Sequence, residues 1–291
     1  MPAPARDQIS LAAWSLSRSF FQAKRWTNLE LPRIVREEFG IGALEFVNQF
    51  FENPSMRYLN QLRKNGAQHG VKFVRIMVDD EGNMAAVDRK ERMEAAVAHR
   101  KWVDIAHYLG CRDIRCNMRG GPPDWKHDAD LTKRAGESFR DLLDYSKASG
   151  LDIVIENHGG SSSDPGVLSR LMKEVNDPRF GTLPDFGNVN PGDDHYSAMR
   201  QLLPWAKGVS VKGMWKLDKT HQEYDLDKMI GMVRDSGFHG YWGIESSMGN
   251  QRRVPGQPPP PAPPADELWR LDLEGVRLTK AAIVKGVPGA V

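Results

Sequence analysis

The sequence predicts an α/β fold, a (β/α)8 TIM barrel that forms a single domain over residues 1–291. Two observations lead to this prediction. Short apolar or β-branched runs alternate with longer amphipathic stretches, a pattern typical of parallel strands that are each followed by a helix. Eight such units fit into the 291 residues, and one barrel of this kind usually needs about 250 residues.

The strand candidates recur about 30 residues apart, the length of one strand, one helix and two loops. They are Ile9–Trp14, Ala43–Val47, Lys72–Val78, Asp113–Asn117, Asp152–Asn157, Gly181–Asp185, Gly208–Lys212 and Tyr241–Glu245. An open doubly wound sheet would show the same alternation, but it usually carries a glycine-rich phosphate loop after strand one. Trp14 to Ser19 follow strand one here. The sequence therefore favours the barrel and predicts no nucleotide cofactor.

Helices are predicted between the strands, and several of them end at a glycine that can take the left-handed cap conformation. The clearest are Asp88–Leu109 before Gly110, Leu131–Ser149 before Gly150, and Asp225–Ser236 before Gly237. A last helix at about 266–284 would close the ring. The proline-rich stretch at about 251–265 is predicted to be a loop insertion on the catalytic face, because prolines fit neither a helix interior nor a central strand. An SH3-type ligand is the alternative interpretation.

The composition is that of an ordinary globular protein and bears on the expected partners. Lys and Arg (40) nearly balance Asp and Glu (38), so no nucleic acid is expected to bind. No apolar run is long enough to span a membrane. Residues 1–6 lack the features of a signal peptide, which predicts a cytoplasmic protein, or an exported one if a signal peptide has been removed. A homo-oligomer is compatible with the sequence.

Acidic residues end three of the predicted strands, where the active site of a barrel lies. They are Glu156 on strand five, Asp185 on strand six and Glu245 on strand eight. Each follows apolar residues, so its charge must be paired, neutralised or bound to a metal. A helix cap or an arginine partner would explain any one of them, but the three together favour a site for Mn²⁺, Mg²⁺ or Zn²⁺.

Two further polar side chains are expected at the same mouth. Lys212 ends strand seven, and a parallel barrel strand has no free edge along which a lysine could reach solvent. His158 follows Glu156 by two residues and so lies on the same side of an extended chain. A structural role is the alternative for each.

These residues in order resemble the xylose isomerase-like barrel superfamily, the sugar phosphate isomerase/epimerase group that also includes dehydroshikimate dehydratases and endonuclease IV-type enzymes. The resemblance covers nearly the whole chain. It rests on the segments Ala43–Asn48, Glu156–Gly160, Leu183–Asn188, Ser210–Lys212 and Gly240–Glu245.

The resemblance implies that Glu156, Asp185 and Glu245 hold one divalent metal ion. Mn²⁺ is expected first, with Mg²⁺ or Zn²⁺ as the alternatives. It also implies that Lys212 and His158 face the substrate. Ser210 departs from the family pattern, in which a histidine is the fourth ligand. A water, His158 or His221 could fill this place, or the metal could be weakly bound or lost.

The implied function is a metal-dependent sugar isomerase or epimerase that abstracts a proton beside a carbonyl and forms an enediolate. Glu156 and Glu245 are the expected base and acid, and Lys212 and His158 stabilise the oxyanion. The expected substrate contacts are Trp14, Glu45, Asn48 and Trp215. The alternatives are a lyase or dehydratase of a keto-sugar or keto-glycoside, and a non-catalytic barrel that binds carbohydrate or a partner protein. The balanced charge and the scattered histidines disfavour an endonuclease.

Overall fold

The computed structural model describes residues 8–249 and 263–290. Eight parallel strands form one sheet in the order β6-β5-β4-β3-β2-β1-β8-β7. Their bounds are β1 Ile9–Ala12, β2 Ala43–Val47, β3 Lys72–Met77, β4 Asp113–Cys116, β5 Asp152–Glu156, β6 Phe180–Leu183, β7 Gly208–Trp215 and β8 Tyr241–Met248. All eight lie within two residues of the predicted starts.

Backbone hydrogen bonds close the sheet into a barrel between the end of β6 and β7. The Ser210 amide donates to the carbonyl of Pro184 at 2.9 Å, and the Phe186 amide donates to the carbonyl of Ser210 at 3.1 Å. Asp185 is therefore bridged to Ser210 in parallel register. The predicted (β/α)8 barrel is confirmed.

Helices surround the barrel. They are α1 Ser17–Phe21, α2 Leu31–Phe39, α3 Met56–His69, α4 Arg89–Leu109, α5 Leu131–Ser146, α6 Pro165–Val175, α7 His195–Leu202, α8 Leu226–Asp235 and α9 Ala265–Gly286. Asp88 caps α4 by accepting a hydrogen bond from the amide of Glu91, and Gly110 ends it with a φ of 82°. The four predicted helices correspond to α4, α5, α8 and α9. None of the helices in the described ranges is long and apolar enough to cross a membrane.

Strand ends differ from the prediction in both directions, and β3, β4 and β5 end one residue earlier and β6 two residues earlier than predicted. β1 stops at Ala12 because residues 13–16 turn into a short 3-10 helix. β7 and β8 instead run three residues further than predicted, because they pair with each other continuously as far as Trp215 and Met248. Most of the proline-rich segment at about 251–265 lies outside the described residues.

A charged layer fills the barrel below the mouth. Arg75 on β3 donates from Nε to Asp113 at 2.6 Å and lies 3.4 Å from Glu45 through Nη1, and all three residues are buried. Glu45 also accepts a hydrogen bond from Ser10 at 2.5 Å. The attraction between these opposite charges offsets the free energy that each loses when it is removed from water.

Gly243 on β8 makes room for this layer. A Cβ atom at this position would lie 2.7 Å from Oε1 of Glu45. Gly243→Ala should therefore lower the free energy of unfolding by about 1–3 kcal/mol, the usual cost of overpacking a core. Denaturant titration would measure this change in the free energy of unfolding. Gly231→Ala on α8 is the control, because its Cβ would meet only Arg234 at 3.8 Å and alanine favours helix; an equal loss in both variants would contradict the interpretation.

Candidate active site

Three carboxylates meet at the carboxyl end of the barrel. Glu156 is the last residue of β5, Asp185 follows β6 by two residues, and Glu245 lies in β8. One carboxylate oxygen from each lies within 4.8 Å of the other two. Glu156 and Asp185 are fully buried and Glu245 is half-buried. The structure thus brings together the three acids that the sequence singles out.

Asp185 is held by donors at both oxygens. Its Oδ1 accepts hydrogen bonds from the amides of Gly187 and Asn188, each at 2.8 Å. Its Oδ2 accepts a hydrogen bond from the hydroxyl of Ser210 at 2.7 Å. Asn157 fixes the backbone of Asp185, since its side chain donates to the carbonyl and accepts from the amide. The carboxylate is therefore rigidly oriented, and Ser210 contacts it as a hydrogen-bond donor.

Glu156 has one satisfied oxygen and one that lacks a hydrogen bond. Asn188 donates to Oε1 at 2.8 Å. Oε2 lies 3.0 Å from Nε of Arg115, but neither atom has a hydrogen-bond partner among the described residues. Burial raises the pKa of Glu156 to about 8, with Asp185 and Glu245 adding to the increase and Arg115 opposing it. This carboxyl group can therefore take up and release a proton near neutral pH.

Lys212 reaches the triad from β7, the strand between those that carry Asp185 and Glu245. Its Nζ donates to Glu245 and lies 3.5 Å from Oδ2 of Asp185. Burial alone would lower the pKa of Lys212, but Asp185, Glu245 and Glu156 outweigh it and raise the pKa above its ordinary value. The side chain is therefore a permanent cation among carboxylates.

A second polar network lies beside Glu156 and was not anticipated from the sequence. Arg115 on β4 donates to Oδ1 of Asp79 at 2.8 Å, and Asn117 donates to the same atom at 2.6 Å. The indole of Trp14 donates to Oδ2 of Asp79 at 3.2 Å. Trp14 is half-buried, so this expected substrate contact lies at the rim and is joined to Glu156 through Asp79 and Arg115. An arginine within a buried parallel strand was the available signal.

His158 also faces the mouth. Burial lowers the pKa of its imidazole, Arg115 lowers it further, and Glu245 and Asp79 oppose the change. The neutral form of the ring is therefore favoured. Its amide donates to the hydroxyl of Ser162 at 3.0 Å, which fixes the loop after β5.

Three of the expected substrate contacts have their polar groups engaged within the protein. Glu45 lies in the buried charged layer with Arg75 and Ser10. The side-chain amide of Asn48 donates a hydrogen bond to the backbone carbonyl of Asp79 and accepts one from the backbone amide of Asp79. Trp215 donates to the hydroxyl of Thr279 on α9 at 2.9 Å, so it points from the barrel wall to the helix layer.

His221 is not placed as a ligand either. Its Nε2 accepts a hydrogen bond from the amide of Met214 at 3.1 Å, and its Nδ1 lies 3.1 Å from the carbonyl of Tyr224. Both ring nitrogens are thus engaged with backbone groups around β7. The imidazole supports the strand that carries Lys212.

The triad fits a divalent cation by its charge and its donors. Among the described residues, the four carboxyl groups of Asp79, Glu156, Asp185 and Glu245 are paired with two cations, Arg115 and Lys212. Two negative charges remain when all four are ionised. Oε2 of Glu156 is buried and accepts no hydrogen bond among the described residues, so a cation could use it as a ligand in addition to its contact with Arg115. Carboxylate and hydroxyl oxygens suit Mg²⁺ or Mn²⁺.

Comparison with known proteins assigns the family. Residues 35–276 match the model of the Xylose isomerase-like TIM barrel family. The chain therefore belongs to this family. Comparison with curated protein sequences gave no significant match.

Solved structures share the fold at low sequence identity. A 3-keto-D-glucoside 4-epimerase from E. coli is 14% identical with a TM-score of 0.67, over 94% of this chain and 99% of that one. An L-ribulose 3-epimerase is 14% identical with a TM-score of 0.71, over 97% and 95%. A xylose isomerase-like barrel from Mycobacterium smegmatis in complex with magnesium is 14% identical with a TM-score of 0.64, over 97% and 100%.

Proposed function

We propose that this protein is a divalent-metal-dependent sugar isomerase or epimerase that moves a proton on a carbon beside a carbonyl group. The observation that carries the proposal is the cluster of Glu156, Asp185 and Glu245, whose ligand atoms lie within 4.8 Å of one another. The family supports it, as do structural neighbours named as a 3-keto-D-glucoside 4-epimerase and an L-ribulose 3-epimerase.

Glu156, Asp185 and Glu245 would hold the ion. The oxygen donors favour Mn²⁺ or Mg²⁺ over Zn²⁺, which more often takes nitrogen or sulfur ligands. When bound, the ion supplies a positive charge that polarises the carbonyl and hydroxyl oxygens of the substrate. The magnesium complex of the Mycobacterium smegmatis barrel is consistent with this choice.

The chain's own side chains would move the proton. Glu156 and Glu245 come from different strands and flank the mouth, so one can remove a proton from carbon while the other returns it. Lys212 would donate to the oxygen that becomes negative, and His158 would donate a second hydrogen bond to it. Return of the proton to the opposite face of the same carbon gives an epimer. Return to the neighbouring carbon, with transfer of the hydroxyl proton to the former carbonyl oxygen, gives an isomer.

Metal content and proton exchange test the proposal together. Purified protein should carry or take up about one Mn²⁺ per chain. Loss of a residue that only supports a metal ligand typically weakens metal binding about 10–100-fold. Asp185→Ala should weaken Mn²⁺ binding by more than this, because it removes a ligand. With Mn²⁺ in D₂O, the wild type should exchange a carbon-bound proton of a ketose or 3-keto-glycoside, followed by NMR. Asp193→Ala is the control, because Asp193 is an exposed acid on the loop that follows Asp185.

Two results would contradict the proposal. The metal-dependent function fails if no Mn²⁺ binds at millimolar concentration, and a binding protein then becomes the better interpretation. Formation of an enone, visible by ultraviolet absorbance, without an epimer or isomer would assign the chain to the lyases instead.

A further inference from the structure

The ammonium group of Lys212 already contacts carboxylate oxygens of two proposed metal ligands. Its Nζ donates to Oε1 of Glu245 and lies 3.5 Å from Oδ2 of Asp185. Only 20% of the Lys212 side chain is exposed. The ammonium group is thus enclosed with the carboxylates, where water screens the repulsion between two cations poorly.

Asp185 has little spare acceptor capacity in this arrangement. A carboxylate offers about four lone-pair positions, two on each oxygen. Hydrogen bonds from the amides of Gly187 and Asn188 use both positions on Oδ1, and the Ser210 hydroxyl uses one on Oδ2. The Lys212 ammonium lies 3.5 Å from the same Oδ2 as an ion-pair partner. A metal ion that binds Oδ2 must therefore lie directly beside this ammonium or displace a donor. The two amides and the hydroxyl belong to fixed backbone and a short side chain, whereas lysine has a long flexible one.

The base of Lys212 is fixed while its end can move. The hydroxyl of Tyr224 donates to the Lys212 carbonyl at 2.6 Å, which anchors the backbone. The first part of the side chain packs on Gly187, where a Cβ atom would lie 2.8 Å from Cγ of Lys212. Displacement therefore has to occur through rotation about the outer bonds of the side chain.

We propose that Lys212 and a divalent cation exclude each other at Asp185 and Glu245, so that Lys212 sets how tightly this protein binds its metal. The inference rests on the proposed metal dependence. It also links metal and substrate, because the ammonium leaves the carboxylates and becomes available to substrate oxygens only when the metal is bound. Ser210 strengthens the effect, since it donates to Asp185 and adds no strong ligand of its own.

Mn²⁺ titration of matched variants by calorimetry tests the inference without any substrate. Lys212→Met removes the competing charge and keeps an unbranched side chain. It should bind Mn²⁺ about tenfold more tightly than the wild type or better, because close like charges repel strongly in a poorly screened site. Lys216→Met, at an exposed lysine four residues along the chain, should bind as the wild type does.

Lys212→Gln is measured alongside, because it keeps a hydrogen-bond donor without the charge and guards against misfolding of the methionine variant. It should also bind Mn²⁺ more tightly than the wild type. The upward shift of the thermal unfolding midpoint with Mn²⁺ should be larger in both variants than in the wild type.

The outcomes separate this inference from the proposed function. Equal or weaker Mn²⁺ binding by both Lys212 variants, with a wild type that binds, overturns the competition and leaves the metal-dependent function standing. If neither the wild type nor the variants bind Mn²⁺, the metal-dependent function fails and the competition with it. If Lys216→Met also binds Mn²⁺ more tightly than the wild type, the increase is an effect of net charge, and the assignment to Lys212 is overturned.

Discussion

Glu156→Gln and Glu245→Gln should each lower kcat/KM on a confirmed substrate by a factor of about 10³, within the range that general acid–base catalysis contributes. Glutamine has nearly the shape of glutamate but cannot exchange a proton. The two carboxyl groups lie on separate strands and cannot replace each other. Steady-state kinetics with saturating Mn²⁺ would measure the loss. Glu267→Gln on α9, at a surface residue, is the control, and near wild-type rates in either active-site variant would exclude the two-carboxylate mechanism.

Glu156→Gln has a second readout that separates chemistry from folding. The pKa of Glu156 is raised from its ordinary 4.5 to about 8 by burial, and further by Asp185 and Glu245 against Arg115. A raised pKa means that the folded state retains a proton that the unfolded state releases. Its stabilising effect is complete below the unfolded pKa and is lost as the pH rises through the folded pKa.

The metal-free wild type should therefore lose stability between about pH 5 and pH 8. Glu156→Gln should lack this contribution, because its side chain stays neutral. Urea titrations at several pH values would measure the difference. A wild type and variant with the same pH dependence would show that Glu156 is ionised in the folded protein throughout this range.

The fold was predictable because its signal is repeated eight times along the chain. Apolar runs mark buried parallel strands, and glycines such as Gly110 mark helix ends where the chain turns left-handed. Strand lengths were less predictable. β7 and β8 continue to Trp215 and Met248 because they pair with each other, and such pairing depends on contacts between distant segments.

The triad was predictable since an acid that ends an apolar strand has few stable alternatives. The same reasoning applies to Arg115, because its charge lies in the fully buried β4 and also needs a partner. Glu45 shows a different difficulty. It lies beside Arg75 because the pairing of β2 with β3 shifts register between Leu44 and Glu45, and neither strand alone indicates such an irregularity.

The position of Trp215 follows from the alternation of side chains along a strand. Lys212 points into the barrel towards Asp185 and Glu245. A residue three positions later points to the opposite face in a regular strand. Trp215 accordingly contacts Thr279 on α9. The alternation predicts the direction of Trp215 only if β7 extends beyond Lys212, as it does in the structure.

Loss of Arg115, which lies outside the triad, is expected to destabilise the protein strongly. Arg115→Met should lower the free energy of unfolding by about 3–5 kcal/mol, because removal of one partner leaves buried charge uncompensated. Asp79 and Glu156 would both lose their nearest cation. Burial raises the pKa of Asp79, but Arg115 outweighs it and holds the pKa below its ordinary value. The stabilisation from this pair is therefore present at neutral pH and is lost as the pH falls through the pKa of Asp79.

The neighbouring ion pair provides a matched control. Arg119 and Asp80 are paired at 2.6 Å, but their side chains are 44% and 60% exposed, whereas those of Arg115 and Asp79 are 1% and 6% exposed. Arg119→Met should therefore change the free energy of unfolding by no more than about 1 kcal/mol. A double-mutant cycle with Asp79→Asn would isolate the energy of the buried pair. Equal effects of the two arginine substitutions would mean that the network joining Trp14 to Glu156 contributes no more than a surface contact.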